Sequence, residues 1–395
     1  MDRALWFNDD RYTTRPRREL FSDQREILQN CQLASKALCG AASPCLFRSL
    51  KATSSHALHK VLALSETIYA SCVHEITVNP PRPVDTTETY LNDLCVILPI
   101  CSRNLPSLRV LSIARFEGNA EGVPEKARQI LFKATQNTFR YGLFHRLEEL
   151  SLRLPFAYDF EVLAESGFTV EPTTLRRPLY EVLVQLRHLQ VFIQDNSGHL
   201  GQRYYSSLAS ESQTHFRNVI HQKGFFGFVE LATQLESLSI SCTHALDMDL
   251  LSIANFKQLH VLVLSRIKVS MENFEALITQ NKSTIRALDF SQLELKTGTW
   301  ENLFTSSCSL PHLKYLHIES CGYIQSSNHA AGLLPPIDDP QDLETSHFGD
   351  YDALGDLQRH VMEVRDAAGL AQMTEYDFKW GYQELNTSEL SASTD

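Results

Sequence analysis

Apolar positions along this chain of 395 residues return to one line: a leucine, then apolar residues three, three and two places on. LPHLKYLHI (310–318) sets Leu310, Leu313, Leu316 and Ile318 on that line. LPSLRVLSI (105–113), FHRLEELSL (144–152), ATQLESLSI (232–240), FKQLHVLVL (256–264) and KSTIRALDF (282–290) repeat it. LRHLQVFIQ (186–194), read on Leu186, Leu189 and Phe192, and CVHEITV (72–78) are weaker copies. The anchors Leu238, Leu262, Leu288 and Leu316 are 24, 26 and 28 residues apart. Upstream, Ile76, Leu111, Leu150, Phe192 and Leu238 are 35, 39, 42 and 46 apart. A sustained period of this order marks a repeat architecture.

The last two anchors of each copy alternate, so they lie on one face of a strand. Such a strand cannot bury that face alone, and stacking the copies makes a parallel sheet backed by an apolar ladder. Parallel strands need crossovers, and helix-period segments supply them. MENFEALITQN (271–281) carries Phe274, Leu277 and Ile278. TWENLFTSSC (299–308) carries Trp300, Leu303 and Phe304. PEKARQILFKATQNTFRYGL (124–143) carries Ile130, Leu131, Ala134 and Phe139. The expected fold class is therefore α/β, an irregular leucine-rich-repeat solenoid, or horseshoe, over 71–325.

The flanks read differently. Residues 1–19 are expected to be disordered, 20–70 helical, and 326–352 a Pro-rich acidic linker. A C-terminal helix over 353–370, with Leu354, Leu357, Val361 and Val364 on one face, is placed to cap the array. An acidic tail, 371–395, follows; it is expected to be dispensable for folding beyond about Thr374, and its end, NTSELSASTD (386–395), to be unstructured. The polar run 195–215 reads as an excursion loop.

Charge sharpens the choice of partner. The net charge of −11 arises wholly from 337–395, with 14 Asp and Glu against 3 Lys and Arg; residues 1–336 carry 33 of each. An acidic tail repels nucleic acid and anionic lipid, so neither is an expected partner. No run of 18 apolar residues predicts a membrane span. The N-terminus has no apolar secretory segment, and the nine cysteines include no C-x-x-C. Both point to reduced thiols and a cytoplasmic or nuclear protein. Cys321, at the end of L-x-x-L-x-I-x-x-C, is expected to be a small buried residue.

Enzyme motifs are missing. No phosphate loop, nucleophile elbow or zinc motif occurs, so no cofactor and no catalytic role are expected. His56 and His59 share a helix face without a third ligand. Asp289 and His317 fall at equivalent positions of successive strands and should be neighbours.

The stretch LQNCQLASKALCGAASPCLFRSL (28–50) has a specific line-up. Leu33-Ala34-Ser35-Lys36 and the block Ser43-Pro44, then Leu46-Phe47-Arg48-Ser49-Leu50, resemble the second half of an F-box. The whole chain is similar to fungal F-box proteins with leucine-rich repeats, and 298–318 resembles their C-terminal repeats. The resemblance implies the substrate-recognition subunit of a cullin-type (SCF) ubiquitin ligase. Leu28, Leu33, Leu38, Pro44, Leu46 and Phe47 would then bind the ligase adaptor protein, and the repeats an unidentified target. A full box opens with an L-P-x-E-I/L helix that residues 1–28 do not reproduce. The alternative is a repeat scaffold with a degenerate box and no ligase role.

Binding is expected on the concave sheet, where residues between the ladder positions face out. These are Ser112, Ser151, Ile193, Ser239, Val263, Asp289 and His317. One step beyond stand Ala114, Arg153, Asp195, Ser241, Ser265, Ser291 and Glu319. Arg153, Asp195, Ser239, Ser241, Asp289, His317 and Glu319 form the candidate target-binding set, the charged ones setting register and selectivity.

Overall fold

The structure, a computed structural model, describes residues 29, 36–80, 84–114, 125–154, 156–166, 179–193, 212–324, 342–374 and 378. These fall into two compact units, one ending at Thr233 and the other starting at Gln234.

The first unit runs α1 (Lys36–Leu46), β1 (Ser49–Ala52), α2 (Ser55–Ser65), β2 (Glu75–Val78), α3 (Val84–Asn104), β3 (Val110–Ile113), α4 (Glu125–Tyr141), β4 (Glu149–Leu154), α5 (Ala157–Ser166), α6 (Leu179–Val184), β5 (His188–Ile193) and α7 (Ser212–Glu230). The strands pair in parallel in chain order, with Leu50, Ile76, Leu111, Leu150 and Leu189 in one row. The next row on that face is Ala52, Val78, Ile113, Leu152 and Val191, fully buried from end to end. Tyr90 of α3 donates its hydroxyl to the Ala52 carbonyl at 2.6 Å, which satisfies an acceptor at the end of β1.

Two expectations need correction here. The stretch expected to be wholly helical contains β1, so the sheet opens at Ser49 rather than near residue 73. Only Leu50 and Ala52 carry the period of two, too short a run to see in sequence. The weak copy at 186–194 is anchored on Leu189, not Phe192. Leu189, Val191 and Ile193 make the ladder, and Phe192 faces the other way.

Helices α5 and α7 cross closely. Phe160 meets Phe225 and Phe228 with ring centroids 5.1 and 5.4 Å apart. A Cβ on Gly224 would lie 2.4 Å from Cγ of Glu161, so only glycine permits the approach. Asn218 Oδ1 accepts from the Ala157 amide at 2.9 Å at the start of α5.

The second unit runs β6 (Ser237–Asp247), β7 (Val261–Val269), α8 (Met271–Gln280), β8 (Ala287–Ser291), β9 (Glu294–Leu295), α9 (Trp300–Ser307), β10 (Tyr315–Glu319), β11 (Cys321–Tyr323), β12 (Leu343–Glu344) and α10 (Phe348–Ala367). Leu238, Leu262, Leu288 and Leu316 form one parallel row, and Ile240, Leu264, Phe290 and Ile318 the next. Helices α8 and α9 bury the faces expected of them, Phe274, Leu277 and Ile278 on one and Trp300, Leu303 and Phe304 on the other. Phe274 meets Phe290 edge to face at 5.2 Å. Cys321 is buried, its thiol 3.4 Å from the Phe290 carbonyl.

Past these rows the chain turns a corner at the same place in three repeats. Arg266, Gln292 and Ser320 adopt φ of 57°, 54° and 50°. A left-handed conformation costs an L-residue about 1–2 kcal/mol. Its recurrence shows that the repeat imposes it. Arg266 Nε donates to Gln292 Oε1 at 2.7 Å, joining successive corners. Beyond them a second short ladder pairs β7 with β9, β9 with β11 and β11 with β12.

Helix α10 starts at Phe348, five residues before the expected 353. The cause is Asp350, a buried carboxylate that accepts from the Glu301 amide (2.9 Å), Tyr323 hydroxyl (2.8 Å) and Thr345 hydroxyl (2.7 Å). It holds α10 to the N-terminus of α9, where a negative charge is favoured. Arg365 rather than Val364 completes the buried face. At the start of the tail, Met373 and Phe378 are buried, and the Phe378 amide donates to the Thr374 carbonyl.

Candidate functional site

In a strand, the residues alternating with the ladder face the other side of the sheet. In the second unit these outward positions align as Ser237–Val261–Ala287–Tyr315, Ser239–Val263–Asp289–His317 and Ser241–Ser265–Ser291–Glu319. Asp289 and His317 are neighbours, as the spacing predicts, with Nδ1 and Oδ1 3.0 Å apart. The Tyr315 hydroxyl makes a longer contact, 3.5 Å, with Asp289 Oδ2. The expectation that Asp289 and His317 stand in solvent as anchors is corrected. Each is only 2% exposed. Buried polar side chains persist where they are hydrogen-bonded, and these two bond to one another. Ser239 is buried, whereas Ser241 and Glu319 are half-buried. Ser291 donates to Glu319 Oε2 at 3.2 Å.

In the first unit Ser112, Ser151 and Gln190 align, and the Ser151 hydroxyl donates to Gln190 Oε1 at 2.9 Å. Arg153 aligns with Phe192, its guanidinium 5.7 Å from the ring centroid, and both side chains are half-buried. Gln190 and Phe192 therefore hold the positions expected of Ile193 and Asp195. Ile193 lies in the ladder, and Asp195 lies outside the described residues. The signal for this was present: Leu189, Val191 and Ile193 keep a strict period of two that Phe192 breaks.

Of the residues expected to meet an adaptor, Leu28 and Leu33 lie outside the described residues, as does the side chain of Leu38. Pro44 is exposed on α1. Leu46 is buried, which removes it from any adaptor surface in this conformation. Phe47 is half-buried with its ring 5.2 Å from that of Tyr69. The adjoining Ile68, which the helical reading passed over, is 85% exposed.

A further polar cluster joins three crossovers of the second unit. Asp249 accepts from the Ser270 amide (2.9 Å) and hydroxyl (2.8 Å), from Asn273 Nδ2 (2.9 Å) and from Lys296 Nζ (2.8 Å). Burial alone would raise its pKa, but these donors together hold it below the usual carboxylate value. Hydrogen bonds to Asp247 and Asp249 raise Lys296 above the usual lysine value. Its ammonium already fills the space between the acids.

Among the described residues, no group of three or more His, Cys, Asp or Glu is placed to hold a metal ion. His56 and His59 are exposed on α2. The described cysteines are free thiols, and burial pushes Cys101 up to about 12, away from the reactive thiolate. A cavity of about 340 Å³ between α9 and α10 is lined by Thr305, Cys308, Asp356, Arg359, His360 and Glu363. Among the described residues, no helix is long and apolar enough to cross a membrane.

No protein-family model matches the chain, and no curated protein matches it. Among solved structures, an internalin (inlF) from Listeria monocytogenes str. 4b F2365 is similar over 77% of this chain and 89% of that one, at 11% identity and a TM-score of 0.26. So loose a superposition assigns neither fold nor function.

Proposed function

We propose that this chain is an irregular leucine-rich-repeat protein that binds a protein segment on the outward face of its sheet and catalyses nothing itself. The observation that carries the reading is the half-buried pair of Arg153 and Phe192, side by side on that face of β4 and β5. Arginine and aromatic residues are the types that dominate interface energies, and stacking removes much of the entropy such a side chain would lose on binding. A finer reading rests on the F-box resemblance of 33–50: the bound protein is a target, and the N-terminal part recruits it to a cullin-type ligase. Exposed Ile68, beside the Phe47–Tyr69 pair, supports an apolar contact there.

One binding experiment with two arms tests both levels. In the first, peptides selected from a displayed library against the purified chain should lose about tenfold or more in affinity on Phe192→Ala, about 1.4 kcal/mol, with circular dichroism unchanged. Selected peptides that ignore both Phe192→Ala and Arg153→Ala sink the sheet-face reading. In the second, calorimetric titration with the purified ligase adaptor should give binding that Ile68→Asp abolishes. Absence of binding removes the ligase and leaves the scaffold.

A further inference from the structure

We propose that the first turn of α10, with Phe348 and Tyr351 at its front, is a docking site for a basic segment of a partner protein. The site belongs to the second unit and stands apart from the reading placed on Arg153 and Phe192 in the first.

The first observation is exposure that serves no packing. Phe348 is 87% exposed, and Tyr351, three residues on, is 44% exposed. Residues three and four apart share a helix face, so Phe348, Tyr351 and the exposed Asp352 stand together. The buried face of α10 is carried by Asp350, Ala353, Leu354, Leu357, Val361 and Arg365, and Phe348 adds nothing to it.

The second observation is that the turn is held firmly from behind. Asp350 bonds to Thr345, Tyr323 and the start of α9. The Thr345 hydroxyl oxygen accepts in turn from the His347 amide at 3.0 Å. His347 rests edge-on against Tyr323, with ring centroids 5.7 Å apart. The Tyr351 hydroxyl donates to the Leu343 carbonyl at 2.9 Å. The residues on both sides of Phe348 are thus fixed. The frame that presents its ring has little order left to lose on binding.

The third observation is charge. From Tyr315 to Gln358 the chain has eight Asp and Glu and no Lys or Arg. Arg359, the first cation after them, is bonded to Asp356 at 2.7 Å. Asp352 shares the face of Phe348, and the Glu301 carboxylate lies against Gly349, 2.6 Å from where a Cβ would stand. Aromatic rings flanked by acids attract Lys and Arg twice, through the carboxylates and through the ring faces. The same acids decide against other occupants. Two copies of this turn would set like charge against like, and anionic lipid would be repelled.

The test selects displayed peptides against the full chain, with counter-selection against Phe348→Asp. The enriched peptides should carry Lys or Arg beside an aromatic or aliphatic residue. Their synthetic forms should bind Phe348→Ala about tenfold or more weakly. They should weaken again on Asp352→Lys and lose affinity as salt is raised. Because Phe348 is almost fully exposed, the thermal melt of Phe348→Ala should match the parent, which separates loss of the site from loss of the fold. Enriched peptides that are neutral or acidic, or none that depend on Phe348, overturn the proposal. So does a chain that is dimeric by light scattering and monomeric as Phe348→Asp, which makes the occupant a second copy. So does a chain that floats with phosphatidylcholine vesicles through Phe348, which makes it a membrane. Should the proposal fall in any of these ways while other displayed peptides still depend on Phe192, the reading of the sheet face stands.

Discussion

At Asn281 one side-chain amide joins two stretches of backbone. Its Oδ1 accepts from the Leu259 amide at 2.9 Å and its Nδ2 donates to the Leu277 carbonyl at 3.0 Å, in a fully buried position at the end of α8. The helix end and the approach to β7 are thus locked by a residue with no charge to desolvate. Removing the amide strands a buried N–H, which costs about 1–3 kcal/mol. Asn281→Ala should lower the stability of the chain by about 2 kcal/mol, read as a shift in urea midpoint without a change in slope. A shift of a few tenths would mean that water replaces the lost acceptor. The same burial rules out the glycosylation that the triplet Asn281-Lys282-Ser283 would otherwise suggest.

Among the elements, the rows of leucine are both the most legible feature and the most costly to disturb. Leu262 and Leu288 are fully exposed to their row neighbours and fully closed to water. Leu262→Asp or Leu288→Asp places a charge there with nothing to pair it, an effect of about 4 kcal/mol or more. Loss of much of the circular dichroism signal at room temperature is expected, and a melt unchanged from the parent would refute the ladder assignment. These rows could be read from sequence because each residue repeats one local rule. Where the rule was carried by only two residues, as in β1, or where an aromatic competed for the anchor, as at Phe192, the reading slipped. Burial of Asp289 and His317 was not legible at all, because spacing tells which residues adjoin and says nothing of what covers them. Asp249, Ser270 and Lys296 meet only after three crossovers have folded, and no spacing within one segment encodes that.

At the scale of the whole molecule the charge is lopsided, with residues 1–336 neutral on balance and the net negative charge confined to the C-terminal part. The Asp249–Lys296 cluster therefore works by local contacts, and its pH dependence can be signed. Asp249 lies below its unfolded value, so its contribution is complete above the usual carboxylate pKa of about 3.9 and is lost as pH falls through the lower folded value. Lys296 lies above its unfolded value, so its contribution is complete below about 10.4 and is lost as pH rises through the raised folded value. Asp249→Asn should weaken the chain by about 2 kcal/mol at pH 6, and the gap should narrow as both proteins are acidified toward pH 2. A gap that stays constant over that range would show that packing, not charge, is what the substitution removes.

The rows stay in register although what joins them varies: the steps from Leu238 to Leu262, Leu288 and Leu316 are 24, 26 and 28 residues. Main-chain hydrogen bonds set the alignment, and the crossover has only to return the chain to the same edge. Insertions and deletions in the coding sequence are therefore filtered by where they fall rather than by how long they are. A codon gained between Pro311 and His312 lengthens an exposed turn, whereas one gained between Leu288 and Phe290 turns Phe290 outward and Ser291 into the core. Such a gene can drift in length along its crossovers for as long as its strands keep their parity, and chains of this design will diverge in length before they diverge in fold.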